Sequence, residues 1–180
     1  STLTLEPDMD CYAVDDTVTV ELWMHDVSQV VVGGQFFLSY DFTKLDYLSA
    51  TPNSPFNFEL YEIVDGVNGT IDYAVNIFPP GPSTTGDALI AELTFKALSP
   101  ICAEEDLITW RSHNPPTRLS DTLGQPVYPE LSALTVLDDE APTINCPANL
   151  TVECDDSTDP ADTGTATATD NCDPTPTVIY

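Results

Sequence analysis

The sequence predicts an all-β protein built around a β-sandwich. Apolar and polar residues alternate with a period of two in several short segments, which is the pattern of strands with one buried face. Clusters rich in Pro, Gly and Asn separate these segments, and no long stretch shows the period of an amphipathic helix. Strands of this length and spacing are typical of sandwiches and barrels.

The individual strands follow from this alternation. The predicted strands cover residues 17–24, 35–41, 56–63, 70–77, 88–96, 107–110 and 127–137. The inner face of the first is formed by Val18, Val20, Leu22 and Met24. The inner face of the segment 88–96 is predicted to comprise Leu89, Ala91, Leu93 and Phe95. Residues 43–48 are predicted to form a short helical turn.

A domain boundary is predicted at residues 138–142. Strong alternation ends there, a run of acidic residues appears, and Pro142 interrupts strand pairing. A first domain then spans residues 1–137, and a second module spans residues 143–180 with strand candidates at 143–154, 164–169 and 177–180. Three short strands bury too little surface for an independent core. We therefore expect the missing strands in a continuation of the chain or in a neighbouring molecule that adds strands to an open edge.

The charge is strongly acidic and unevenly distributed. The chain carries 30 Asp and Glu against 4 Lys and Arg, a net charge of −26. This excludes nucleic-acid binding, which needs a basic surface, and docking of a basic helix on anionic lipid. The 42% hydrophobic content permits a folded core, and no apolar run is long enough to predict membrane insertion. All four basic residues lie before residue 138.

Such an excess of carboxylates has two interpretations, a solvated acidic surface or partial neutralisation by a structural cation, for which Ca²⁺ is the best candidate. The calcium ligands predicted at the module junction are Asp138, Asp139, Glu140, Asp170 and Asp173. Asp8 and Asp10 form a second candidate pair, because residues two apart on an extended chain point to the same side. The alternative in both places is a solvated acidic loop.

Five cysteines predict disulfides, as in exported β proteins, and their spacing does not fit a zinc site. Cys11 and Cys102 are alone in the first domain, so their pairing is the simplest prediction; two buried free thiols are the alternative. Cys146 and Cys154 are too far apart along an extended segment to bridge each other. One of them is expected to pair with Cys172. We favour Cys154, which leaves the partner of Cys146 outside the chain.

No catalytic function is predicted. The sequence has no nucleophile elbow, no zinc-protease motif and no phosphate-binding glycine loop, and its two histidines offer few general bases. Asn68 and Asn149 lie in Asn-x-Thr sequons, which mark candidate glycosylation sites in a secreted chain. The aromatic candidates for a sugar-stacking surface are Trp23, Tyr47, Tyr61 and Trp110, and packing in the core or against a partner is the favoured alternative.

The first domain resembles the cohesin-like domains of bacterial extracellular proteins. The resemblance rests on residues 15–20, 32–41, 45–52 and 86–96, in the same order and spacing. It implies a jelly-roll β-sandwich of about nine strands, related to carbohydrate-binding modules. It also implies two alternative partners for this domain, a polysaccharide or a dockerin.

The second module resembles the first half of a hyalin repeat, an immunoglobulin-like domain. Residues 141–152 and 166–172 carry this resemblance. Together, the two resemblances imply a non-enzymatic structural or adhesive protein, secreted to the cell surface or matrix. We expect it to associate with itself or with neighbouring modules of the same protein, as in a fibre, sheath or surface layer.

Overall fold

The computed structural model describes residues 1–78, 81–102, 106–136, 141–170, 172–173 and 175–179. The chain divides into two units, Ser1–Leu137 and Asp138–Tyr180. The strands described in the first unit are β1 (Thr2–Pro7), β2 (Cys11–Tyr12), β3 (Thr17–Tyr40), β4 (Leu45–Pro52), β5 (Phe58–Asp65), β6 (Thr70–Asn76), β7 (Thr84–Ala97), β8 (Ile101–Cys102), β9 (Ile108–Trp110), β10 (Arg118–Asp121), β11 (Pro126–Val127) and β12 (Glu130–Leu131).

The long strand β3 belongs to two sheets. Its first part pairs with β1 and β7, and its second part pairs with β6, β9 and β10. Between these parts, Asp26 adopts a positive φ of 51° and the register with β7 shifts twice, so that the strand turns a corner. The first sheet therefore has the order β12-β1-β3-β7-β4. The second sheet has the order β5-β6-β3-β10-β11, with β5 at one edge.

The core lies between the two sheets and follows the predicted alternation in β3 and β6. The buried face of β3 includes Val18, Val20, Leu22, Met24, Phe36, Leu38 and Tyr40. Ile71, Tyr73 and Val75 of β6 close the core from the second sheet. Burying apolar side chains of this size contributes about 1.5–3 kcal/mol each, which is the main force that holds the two sheets together.

The alternation predicted for residues 88–96 is wrong in its first half. Leu22 pairs with Ala91 while Trp23 pairs with Leu89, so Ile90 is an extra residue in β7. This β-bulge places Ile90 and Ala91 both in the core and leaves Leu89 half-buried. A bulge reverses the facing of every residue beyond it, and nothing in an alternating pattern marks its position.

Two further predictions about single segments are wrong. The helical turn predicted for residues 43–48 is limited to a tight turn, in which Lys44 and Leu45 donate to the carbonyl of Asp41, and β4 begins at Leu45. The strand predicted for residues 127–137 is reduced to the short strands β11 and β12. Pro129 stands between them, and a proline has no N–H to contribute to a ladder.

The second unit contains little regular structure. β13 (Thr143–Asn145) pairs antiparallel with β14 (Thr167–Thr169), and α1 (Pro160–Thr163) is a single turn. The described part of the predicted strand 177–180 forms no strand. None of the described residues of this unit is buried, which agrees with the expectation that so short a segment cannot build its own core. In neither unit do the described residues form a helix long and apolar enough to cross a membrane.

Candidate functional site

The outward side of the second sheet is partly open to solvent and partly covered, since Phe37 and Ala74 on it are only 3% and 2% exposed. The alternation that buries Phe36 and Tyr73 turns every second residue of the same strands outward. We call this surface the outer face and define it by Phe58, Tyr61 and Ile63 of β5, Asp72, Ala74 and Asn76 of β6, Gln35 and Phe37 of β3, and Arg118 of β10. Its rows run straight across the sheet, for example from Tyr61 through Ala74 and Gln35 to Arg118.

The β5 end of the outer face is unusually apolar. Phe58 and Ile63 are 45% and 61% exposed, and Phe78, at 60%, lies just beyond β6. The rings of Phe58 and Phe78 are 5.4 Å apart, so they form a contiguous aromatic surface. Contiguous apolar surface rimmed by polar residues is the usual mark of a protein-interaction site.

The middle of the outer face combines aromatic rings with cations. The His113 ring stacks on Phe37 at 3.7 Å, and the Arg111 guanidinium lies 5.7 Å from the centre of the same ring. Arg111 also forms an ion pair with Asp72, while its Nε is buried without a hydrogen-bond partner. Burial and the Asp72 carboxylate raise the pKa of Tyr61, and the nearby Arg118 opposes this. Two of the four basic residues of the chain therefore lie on this face.

A groove of about 300 Å³ crosses the outer face beside these groups. Leu60 and Tyr61 form one wall and the turn after β10 forms the other, with Gly33 on the floor. A Cβ atom at Gly33 would lie 2.6 Å from the Val75 carbonyl oxygen, so only glycine keeps the floor open. The groove is large enough to receive a side chain of a partner.

The loop before β10 fixes the position of Phe37. Thr117 is 5% exposed, and its hydroxyl accepts a hydrogen bond from the Phe37 amide at 3.0 Å. The Gln35 side chain donates to the Pro116 carbonyl at 3.0 Å. These two bonds tie the loop to β3 beside Phe37.

The cysteines only partly match the sequence predictions. Cys11 and Cys102 form a disulfide between β2 and β8, with their Cα atoms 4.6 Å apart. The predicted bond between Cys154 and Cys172 is wrong, because Cys154 is exposed as a free thiol beside the turn in which Asp156 donates to the Glu153 carbonyl. Cys146 is also exposed and free, and a partner for it outside the chain remains a prediction.

The predicted calcium ligands are not gathered into one site. Asp138, Asp139 and Glu140 lie outside the described residues. Asp170 accepts hydrogen bonds from the amides of Cys172 and Asp173, and Asp173 accepts one from the amide of Thr175. Asp8 accepts hydrogen bonds from the Tyr12 hydroxyl at 2.8 Å and from the Thr19 amide at 2.9 Å. Among the described residues, no group of three potential ligands includes a predicted carboxylate, Asp10 included. Calcium binding by these residues remains a prediction.

The remaining candidates lie on different surfaces. Asn68 and Asn149 are both exposed, as glycosylation requires, and their modification remains a prediction. The aromatic residues proposed for sugar stacking do not share a surface. Trp23 lies on the outside of the first sheet, Tyr47 packs against the core, Tyr61 lies on the outer face, and the Trp110 indole donates to the Ser132 carbonyl.

The cluster of Phe37, Asp72, Arg111 and His113 was not predicted from the sequence. One feature of the sequence could have pointed to this cluster: Arg111 and His113 lie two residues apart in a chain with only four Lys and Arg. Phe37 gave a second signal as a large aromatic residue on the opposite side of β3 from Phe36 and Leu38, where it is buried beneath His113. The pairing with Asp72 depends on the register between β3 and β6, which the sequence does not reveal.

Comparison with known proteins assigns the first unit. The family model of the cohesin domain matches residues 4–113. The chain is similar in structure to type II cohesin A11 from Bacteroides cellulosolvens, at 17% identity and a TM-score of 0.61, covering 76% of this chain and 99% of that one. The sixth cohesin of scaffoldin B from Acetivibrio cellulolyticus was solved in complex with a mutant Cel5 dockerin. It is 16% identical with a TM-score of 0.58, and the match covers 78% of this chain and 100% of that one. A chain of a type I cohesin–dockerin complex from Clostridium thermocellum is 18% identical with a TM-score of 0.54, and the match covers 73% of this chain and 88% of that one. No curated protein matches the chain.

These findings define a cohesin-type jelly-roll β-sandwich, which confirms the predicted fold class. Cohesins are non-catalytic protein-interaction modules, in agreement with the absence of a catalytic motif in the sequence. The chain belongs to the cohesin family.

Proposed function

We propose that the first unit is a docking module that binds a dockerin-type partner through the outer face of the second sheet. The observation that carries this proposal is the combination of exposed Phe58 and Ile63, the groove beside Tyr61 and the cations Arg111 and Arg118 on one surface. Aromatic residues and arginine are the residue types that dominate binding energy at protein interfaces. The partner class follows from the family, since similar domains were solved in complex with dockerins.

Electrostatics favours this face over the opposite one. On the outside of the first sheet, Glu21 stands directly between Glu6 on β1 and Glu92 on β7, so three carboxylates cross adjacent strands. Like charges in directly opposed positions destabilise a sheet and repel an acidic partner. The outer face of the second sheet instead carries Arg118 and the Arg111–Asp72 ion pair, and it therefore offers the less repulsive approach to a module with acidic loops.

The proposal is tested by measuring binding of the whole chain to calcium-loaded dockerins taken from type I and type II cohesin–dockerin pairs. We expect one-to-one binding to a member of this panel. Tyr61→Ala should weaken it about 30-fold, the effect of removing a residue worth about 2 kcal/mol at an interface. Arg118→Glu should also weaken binding. The matched control is Lys96→Glu, which makes the same charge change on the outside of the first sheet.

Two results would count against this assignment. Binding that is abolished by Lys96→Glu and unaffected by Arg118→Glu would move the docking surface to the other sheet. Binding to no dockerin in the panel would remove the partner class and leave the outer face available for another protein.

A structural role through self-association is a second candidate, favoured by the free edge of β5. Within the described residues, β5 pairs only with β6, and Leu60 and Ile63 are more than half exposed on it. An exposed apolar edge strand is a template for pairing with another chain. A mass measurement by light scattering with and without Ca²⁺ tests this role, and a monomer under both conditions would exclude it.

The finer assignment of the second unit also remains a proposal. The antiparallel pair β13–β14 and the lack of buried residues support a partial immunoglobulin-like module of the hyalin-repeat type, completed by strands from elsewhere. Export to the cell surface or matrix is supported by the Cys11–Cys102 disulfide, because such bonds persist in oxidising surroundings. The structure of a longer chain would test the module assignment directly.

A further inference from the structure

The inward side of β5 carries two acidic residues where apolar ones are expected. Glu59 lies opposite the buried Val75, and Glu62 lies opposite the buried Tyr73. Both glutamates point to the same side because the register shifts between Glu59 and Tyr61, which makes Leu60 an extra residue. The edge of the sandwich next to β4 is therefore lined by carboxylates.

Two tyrosines direct their hydroxyl groups to these carboxylates. Tyr47 of β4 packs against the core ring of Phe95 at 5.3 Å, and Tyr73 of β6 is fully buried. Both hydroxyl oxygens are inaccessible to solvent and lack a hydrogen bond of good geometry, although the Tyr47 hydroxyl lies close to Glu62. A buried polar atom without a partner destabilises a fold, so the fully buried Tyr73 hydroxyl in particular indicates that a further group belongs at this edge.

The carboxylates also lack compensation. Burial and the neighbouring charge of Glu62 raise the pKa of Glu59. Burial and the two glutamates together raise the pKa values of Tyr47 and Tyr73 well above their usual range. Burial is the largest cause of each shift, and the glutamate charges add to it. Among the described ion pairs, none engages Glu59 or Glu62. A cation bound between the two glutamates, which the register of β5 places on the same side, would offset their mutual repulsion.

We propose that Glu59, Glu62 and Tyr73, with Tyr47 at the margin, bind a divalent cation of the calcium class between β4 and β5. Such ions take oxygen ligands and retain waters, so two carboxylates can coordinate the metal while the phenol oxygens bind it or its waters. The glutamates are open to solvent on one side, which gives the ion a path of entry. The bound ion would fasten the edge strand β5 to β4.

The site is tested with Tb³⁺, a calcium substitute whose luminescence is sensitised by a tyrosine in its immediate vicinity. We expect a saturable Tb³⁺ signal from the whole chain that Ca²⁺ displaces. The double variant Glu59→Gln with Glu62→Gln should weaken binding about tenfold or more, because it removes both charged ligands. Glu130→Gln, which neutralises one exposed carboxylate on β12, is the control and should bind as the unaltered chain does.

Thermal unfolding provides an independent readout that separates a lost ligand from a lost fold. Ca²⁺ should raise the unfolding temperature of the unaltered chain and leave that of the double glutamine variant unchanged. In chelator, the double variant should be the more stable of the two, because it no longer holds two repelling carboxylates. The proposal is overturned if the double variant keeps the affinity of the unaltered chain for Tb³⁺, or if Ca²⁺ stabilises both equally.

Discussion

The hydrogen bond between Thr117 and the Phe37 amide offers the sharpest test of how the outer face is held. Apart from tyrosines, Thr117 is the one buried polar residue among those the structure describes. Thr117→Val keeps the shape of the side chain and removes the acceptor, so the Phe37 N–H is left without a partner. An unsatisfied buried donor destabilises a protein by about 1–3 kcal/mol. For a domain of this size, that corresponds to a fall in unfolding temperature of roughly 3–15 °C.

The matched variant is Thr117→Ser, which keeps the hydroxyl and removes a methyl group. It should lose only about 1 kcal/mol, the value of one buried methyl group. Thermal unfolding of the whole chain measures both variants, and amide exchange at Phe37 should accelerate only in the valine variant. If valine is tolerated without loss, or if serine destabilises as much as valine, the hydroxyl does not hold Phe37 in place and the reasoning fails.

Three further predictions concern other parts of the first unit. Replacing Cys11 and Cys102 by serine should lower the free energy of unfolding in urea by about 4–5 kcal/mol, because the disulfide joins residues 91 positions apart and restricts the unfolded chain. A loss near zero would contradict a closed disulfide. Because the pKa of Glu59 is raised, ionisation of this carboxyl destabilises the fold as the pH rises through its pKa, and the lost stability returns as the pH falls. In chelator, Glu59→Gln should therefore raise the urea midpoint at pH 7 slightly and reduce the stability gained on acidification. Gly33→Ala should lower the unfolding temperature, since its Cβ would meet the Val75 carbonyl; an unchanged temperature would show that the groove floor is adaptable.

Much of the fold could be predicted because the core strands alternate regularly. Val18, Val20, Leu22 and Met24 are all fully buried, as the period of two requires. The errors fall where the backbone leaves that period. The bulge at Ile90 and the bulge at Leu60 each insert one residue, and a bulge is set by pairing with a distant strand that the local sequence does not specify.

The candidate site was less predictable for a related reason. The outer face brings Tyr61, Arg118 and Phe37 together from three strands that are far apart in the sequence. Their proximity depends on strand order and register, which only the folded sheet defines. The disulfide between Cys11 and Cys102 could be predicted because elimination left a single pair in the first domain, whereas the pairing of Cys154 depended on the path of a loop.

The most direct test of the central claim is hydrogen–deuterium exchange of the whole chain with and without a calcium-loaded dockerin that binds it. The account predicts that the dockerin slows exchange in β5, β6 and the loop before β10, which frame the outer face. It predicts little change in β1 and β7 of the first sheet. Slowed exchange confined to β1 and β7 would contradict the assignment of the docking surface.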